Sequence, residues 1–96
     1  MVVVVNTLEL AKPIDPELVH LVERDFLPRM RARQGFVSFM LIRNSEREAV
    51  VNVVYSDHAA MADIGRTVAG PWFTEHVLPY LGGEGRRTVG ELLCQS

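Results

Sequence analysis

The sequence predicts an α+β fold with the element order β-α-β-β-α-β. Three observations predict it. Four short runs are rich in β-branched and apolar residues, two intervening stretches repeat apolar residues at helical spacing, and a four-residue polar turn separates the two central runs. With 96 residues the chain has the size of one domain, and residues 1–96 are read as a single domain.

Residues 2–10 (VVVVNTLEL) read as the first strand and end at Lys12-Pro13. Asp15 can cap the free N–H groups of a helix start, and Pro16 stands where its missing N–H costs nothing. Leu18, Val19, Leu21, Val22, Phe26, Leu27 and Met30 recur at helical spacing as far as Gln34. Pro28 is expected to kink this helix, and Gly35 to close it in a left-handed conformation. Residues 36–43 (FVSFMLIR) form the second strand, residues 44–47 a turn and residues 48–56 (EAVVNVVYS) the third, an antiparallel hairpin.

Asp57 is a second helix cap, and the helix from His58 carries Met61, Ile64 and Val68 on one side. Gly70-Pro71 is expected to break it. A further helical segment runs from Trp72 to Leu81, and Gly82-Gly83 ends it. Residues 87–95 (RTVGELLCQ) form the last strand.

This order closes as a four-stranded antiparallel, ferredoxin-like sheet with both helical segments on one face. The other face of such a sheet normally alternates in polar residues. Here Val3 and Val5 oppose Val2, Val4, Leu8 and Leu10. On the second strand Phe36, Met40 and Ile42 oppose Val37, Phe39 and Leu41. On the third, Val50 and Val54 oppose Val51, Val53 and Tyr55. A sheet apolar on both faces predicts a homodimer joined through the uncovered face. A membrane surface would need a basic rim, which is missing.

The formal net charge of −2 argues against a nucleic-acid partner. Cys94 is the single cysteine, so no disulfide can form within the chain, as in a reducing compartment. Residues 1–5 lack a positive leading segment, and no apolar run approaches the ~20 residues that span a bilayer. A cytoplasmic protein is the expectation.

The segment Gly35-Phe36-Val37-Ser38-Phe39, the hairpin, the Ser56-Asp57 helix start and the aromatic Trp72-Phe73 segment resemble the antibiotic biosynthesis monooxygenase domains, over nearly the whole chain. The resemblance implies a dimeric α/β barrel, in which two ferredoxin-like sheets meet face to face, with a ligand held between sheet and helices. Its members include cofactor-independent oxygenases of polyketide quinones, quinol-oxidising enzymes and haem-degrading enzymes.

Three residues are singled out as catalytic. Asn6 is the one amide in a run of valines and, if buried, needs a partner. The resemblance makes it a substrate-binding residue; an amide bonded to backbone is the other reading. Trp72 would line the pocket or stack on a ligand, or else anchor its helix on the sheet. His76 shares a helical face with Trp72 and would accept a proton. In a haem-degrading relative it would ligate iron, although that enzyme's tryptophan has no counterpart among Ile64, Gly65 and Arg66. The other reading of His76 is a half-buried ring beside Tyr80. Asn52, Met61, Ile64 and Phe73 complete the expected pocket, with Asn52 facing either the pocket or the dimer seam.

There is no Gly-rich phosphate loop, HExxH, GxSxG or Cys/His pair at metal-ligand spacing, and no metal site is expected. An enzyme of this kind suits a substrate that carries the difficulty itself, a phenol or quinol whose anion passes an electron directly to O2. The leading expectation is therefore a cofactor-independent monooxygenase acting on a small aromatic molecule. Haem binding or degradation, and a non-catalytic dimeric small-molecule-binding domain, are the alternatives. An open pocket between the layers with Asn6 and His76 both pointing in would favour ligand binding or catalysis; tight packing by Phe73, Met61 and Leu78 would favour the non-catalytic domain.

Overall fold

The computed structural model describes residues 1–96. Strands β1 (Val2–Glu9), β2 (Phe36–Arg43), β3 (Glu48–Tyr55) and β4 (Arg86–Glu91) form one antiparallel sheet in the order β2-β3-β1-β4. The first crossover holds α1 (Pro16–Leu21) and α2 (Leu27–Arg31). The second holds α3 (His58–Ile64) and α4 (Gly70–His76), followed by a 3-10 turn at Leu78–Tyr80. This is the ferredoxin-like arrangement, with the helical segments on one face of the sheet.

Both helix starts follow the local chemistry. Asp15 accepts the Leu18 N–H at 2.9 Å, and Asp57 accepts the Ala60 N–H at 2.8 Å. Gly35 adopts φ +100°, and a Cβ there would collide with the Ala60 side chain.

Before Pro28 the helix carries a π turn, and the break expected at Gly70-Pro71 is absent. The helices neither stop nor break at Pro28 and Gly70-Pro71. A single π turn precedes each proline, at Val22–Phe26 and at Gly65–Ala69. The Leu27 N–H reaches back to the Val22 carbonyl and the Gly70 N–H to that of Gly65, an i→i+5 bond in each case. The wider turn makes room for the pyrrolidine ring and absorbs its missing donor. It also presses the Gly65 carbonyl onto Gly70, where a Cβ would not fit. The expected second segment to Leu81 ends its α-helical part at His76, and the last strand stops at Glu91 rather than residue 95.

A β-bulge corrects the faces of β2. Phe36 pairs with Tyr55 and Ser38 with Val54, so Val37 is the extra residue. Phe36 thereby moves to the helix side with Phe39 and Leu41. The core lies between this face and the helices, with Met30 and Ile64 wholly buried at its centre. On the opposite face Met40 is 54% and Ile42 39% exposed.

Candidate functional site

Cross-strand register builds the floor of a cavity. One row on the helix side of the sheet reads Leu41, Val51, Asn6, Arg87 across β2, β3, β1 and β4. The apolar half of the row thus sits over the hairpin, and the polar half over β1 and β4. The next row brings Phe39, Val53 and Val4 alongside. Above them the two helical segments leave a cavity of about 490 Å³ instead of closing on the sheet. Of its 23 lining residues 17 are hydrophobic, and none is acidic. The second π turn forms part of the roof, with Gly65, Arg66 and Ala69 all lining the space.

An aromatic ladder makes one wall. Phe39 meets Phe26 edge-on at 5.2 Å, Phe26 meets Trp72 at 4.8 Å, and Trp72 meets His76 at 4.3 Å between ring centroids. Trp72 is fixed at its far edge, where the indole N–H donates to the Asp25 carboxylate at 2.7 Å. That bond, and then the Arg29 guanidinium, hold the Asp25 carboxyl below the usual carboxylate range. Trp72 therefore offers the cavity its ring and keeps its polar edge elsewhere.

Tyr80 lies outside the cavity lining, in the short 3-10 turn after α4. Its hydroxyl donates to both oxygens of Asp15, at 2.9 and 3.0 Å. Burial and this acidic partner push the Tyr80 phenol up to about 12. The Lys12 ammonium lies 4.4 Å from the centre of the ring.

The singled-out residues fall into two groups. Asn6, Trp72, Met61 and Phe73 all line the cavity. Asn52, His76 and Ile64 do not. Asn52 stands opposite Val5 and Met40 and so projects from the uncovered sheet face, where its buried Oδ1 has no partner. The period-2 alternation of β3 requires this placement, because Asn52 is out of phase with Val51 and Val53. Ile64 is packed wholly inside the core. His76 packs against the outer side of the ladder and has Glu75 Oε2 3.6 Å from its Nε2. No imidazole therefore faces the cavity, and the site does not fit a haem held by histidine.

The lining also holds polar residues outside the expected catalytic and pocket set, among them Arg66, Thr74, Arg87 and Tyr55. Arg87 sits beside Asn6 only through the β1–β4 register, which no local pattern announces. Tyr55 lines the cavity from the end of β3, and burial raises its phenol above the usual value, with Arg87 pulling the other way. Its period-2 phase with Val51 and Val53 was the available signal.

No family model matches this sequence, and no curated protein matches it. Solved structures do match the fold. SnoaB, a cofactor-independent oxygenase from Streptomyces nogalater, superposes with a TM-score of 0.74 at 16% identity, over 98% of this chain and 94% of that one. The ActVA-Orf6 monooxygenase of Streptomyces coelicolor, solved in complex with nanaomycin D, gives 0.69 at 23% identity over 98% and 92%. An antibiotic biosynthesis monooxygenase gives 0.68 at 15% identity over 98% and 100%. The chain has the fold of these proteins along almost its full length.

Proposed function

We propose that this chain, which has the fold of the antibiotic biosynthesis monooxygenases, is a single-domain, cofactor-independent oxygenase of a small aromatic molecule. The observation that carries the reading is the cavity itself. It is apolar, it is walled by Phe26, Trp72 and Phe73, and it holds the Asn6 amide at the polar end of its floor. A flat aromatic ring fits the wall, and an amide donor fits a ring oxygen. The name of SnoaB, a cofactor-independent oxygenase, and the bound nanaomycin D of ActVA-Orf6 support the same chemistry.

An anthrone illustrates the reaction. Loss of a methylene proton gives an anion whose oxygen accepts a hydrogen bond from the Asn6 amide. The anion passes one electron to O2, and the resulting radical and superoxide join at the former methylene carbon. The peroxide O–O bond then breaks. One oxygen atom remains as the new carbonyl, and the other leaves as water with the two methylene hydrogens. The protein's part is to bind, orient and exclude water. Of the lining side chains none is a carboxylate or imidazole, so the substrate must be acidic enough to reach the anion without a base from the wall.

The assembly belongs to the same reading. Two copies pair through the face carrying Val3, Val5, Met40, Ile42 and Val50. This face would otherwise leave apolar side chains in water, and a second copy can supply a donor to the orphaned Asn52 Oδ1. Oxygen uptake with anthrone and with simple naphthols tests the activity. The expected result is uptake with anthrone by wild type, strongly reduced in Asn6→Ala. Equal rates with and without protein would sink it.

A further inference from the structure

The polar end of the cavity floor has a feature that the oxygenase reading does not use. Arg87 stands opposite Asn6 in the β1–β4 register and lines the cavity, yet its side chain enters no ion pair. The second lining arginine, Arg66, is already tied to Asp63 at 3.2 Å. A protein of net charge −2 has therefore assembled a cavity with two guanidinium groups and no carboxylate. Arg87 is exposed on the edge strand, at the mouth, whereas Asn6 on the neighbouring strand is half-buried.

We infer that the ligand of this cavity is an aromatic acid, whose carboxylate is held at the mouth by Arg87 while its ring oxygen reaches Asn6. This rests on the reading of the cavity as a small-molecule site and names the class of molecule it takes. The row Leu41, Val51, Asn6, Arg87 is graded from apolar to cationic, so an amphiphilic ring system has one favourable direction in it. A planar guanidinium suits a carboxylate, which it can hold through two parallel hydrogen bonds. With no acidic neighbour in the lining, the bound anion meets no like charge.

Trp72 is the only tryptophan and stands in the cavity wall, so its fluorescence reports occupancy directly. The experiment compares anthraquinone-2-carboxylate with anthraquinone-2-carboxamide, which differ in charge and little in shape. The carboxylate should bind about tenfold more tightly at low salt, the scale of one charge-assisted hydrogen bond. Raising the salt should shrink that ratio. Arg87→Gln should bring it close to one, and a far-UV circular dichroism spectrum and melting temperature like those of wild type show that the variant is folded. Arg87→Lys should restore part of the preference. Equal affinity for the two probes in wild type, or a preference that survives Arg87→Gln, would overturn the inference and leave the small-molecule site standing. Quenching by neither probe would remove both.

Discussion

The indole N–H of Trp72 and the carboxylate of Asp25, 2.7 Å apart, tie the two helical segments together above the sheet. Asp25 lies in the first π turn, and Trp72 is the third residue after the second. Each π turn is set beside a proline, so the residues that widen the helices also aim the cavity's largest wall.

Asp25→Ala should loosen this wall. The variant is expected to melt below wild type at neutral pH, with a red-shifted Trp72 emission. The pH dependence has a definite sign. The Asp25 carboxyl is depressed in the folded chain, so on acidification the unfolded chain takes up the proton first. The stabilisation is present above about pH 4, the ordinary carboxylate value, and is lost as the pH falls below it. The melting difference between wild type and Asp25→Ala should therefore close in acid. A difference that persists at low pH would assign it to lost packing instead.

Tyr80, outside the cavity lining, should resist ionisation. Its phenol is raised to about 12, so its contribution is intact below pH 10 and is lost as the pH rises toward 12. Burial raises Tyr55 as well, and these are the only two tyrosines. An absorbance titration of the native protein should show no phenolate step at the ordinary value. In Asp15→Asn one of the two should titrate earlier, and the same variant should retain the α1 cap, because an amide oxygen can still accept the Leu18 N–H.

Gly35→Ala should destabilise the chain by about 2 kcal/mol, through the left-handed backbone and the clash with Ala60. In a domain of this size that lowers the melting temperature by about 10 °C. Gly65→Ala is the control, since a Cβ there meets nothing.

Met40→Lys places a charge on the uncovered sheet face, far from the cavity. Light scattering on a sizing column should report a dimer for wild type and a shift to monomer for the variant. A monomeric wild type at micromolar concentration would remove the proposed assembly.

The strands, the caps at Asp15 and Asp57 and the left-handed Gly35 were legible because each depends on a few adjacent residues. Leu41 and Phe39 were assigned to the same face correctly, but Phe36 was not, since a bulge at Val37 leaves no mark in an apolar run. Proline chemistry implied a kink and a break, and it could not tell these from a π turn, which keeps the helix going at the same local cost. Asn6, Trp72, Met61 and Phe73 reach the cavity because strand phase and helical spacing put them there. His76 shares Trp72's helical face, but four residues of α-helix past a bulge carry it to the outside of the indole. Arg87 joins the site through pairing between the two chain ends of the sheet, which single-sequence spacing does not contain.

Loss of the Asn6 donor should lower kcat/KM for anthrone by about 100-fold, in the range found when one preorganised oxyanion donor is removed. Its melting temperature should change little, because the side chain borders a cavity and not a packed core.

The most direct test of the oxygenase reading is the isotopic composition of the product. Anthrone incubated with metal-free protein under 18O2 should yield anthraquinone carrying one 18O atom, with the second oxygen appearing in water. Product labelled only from solvent, or formed at the same rate and with the same label in the absence of protein, would contradict it.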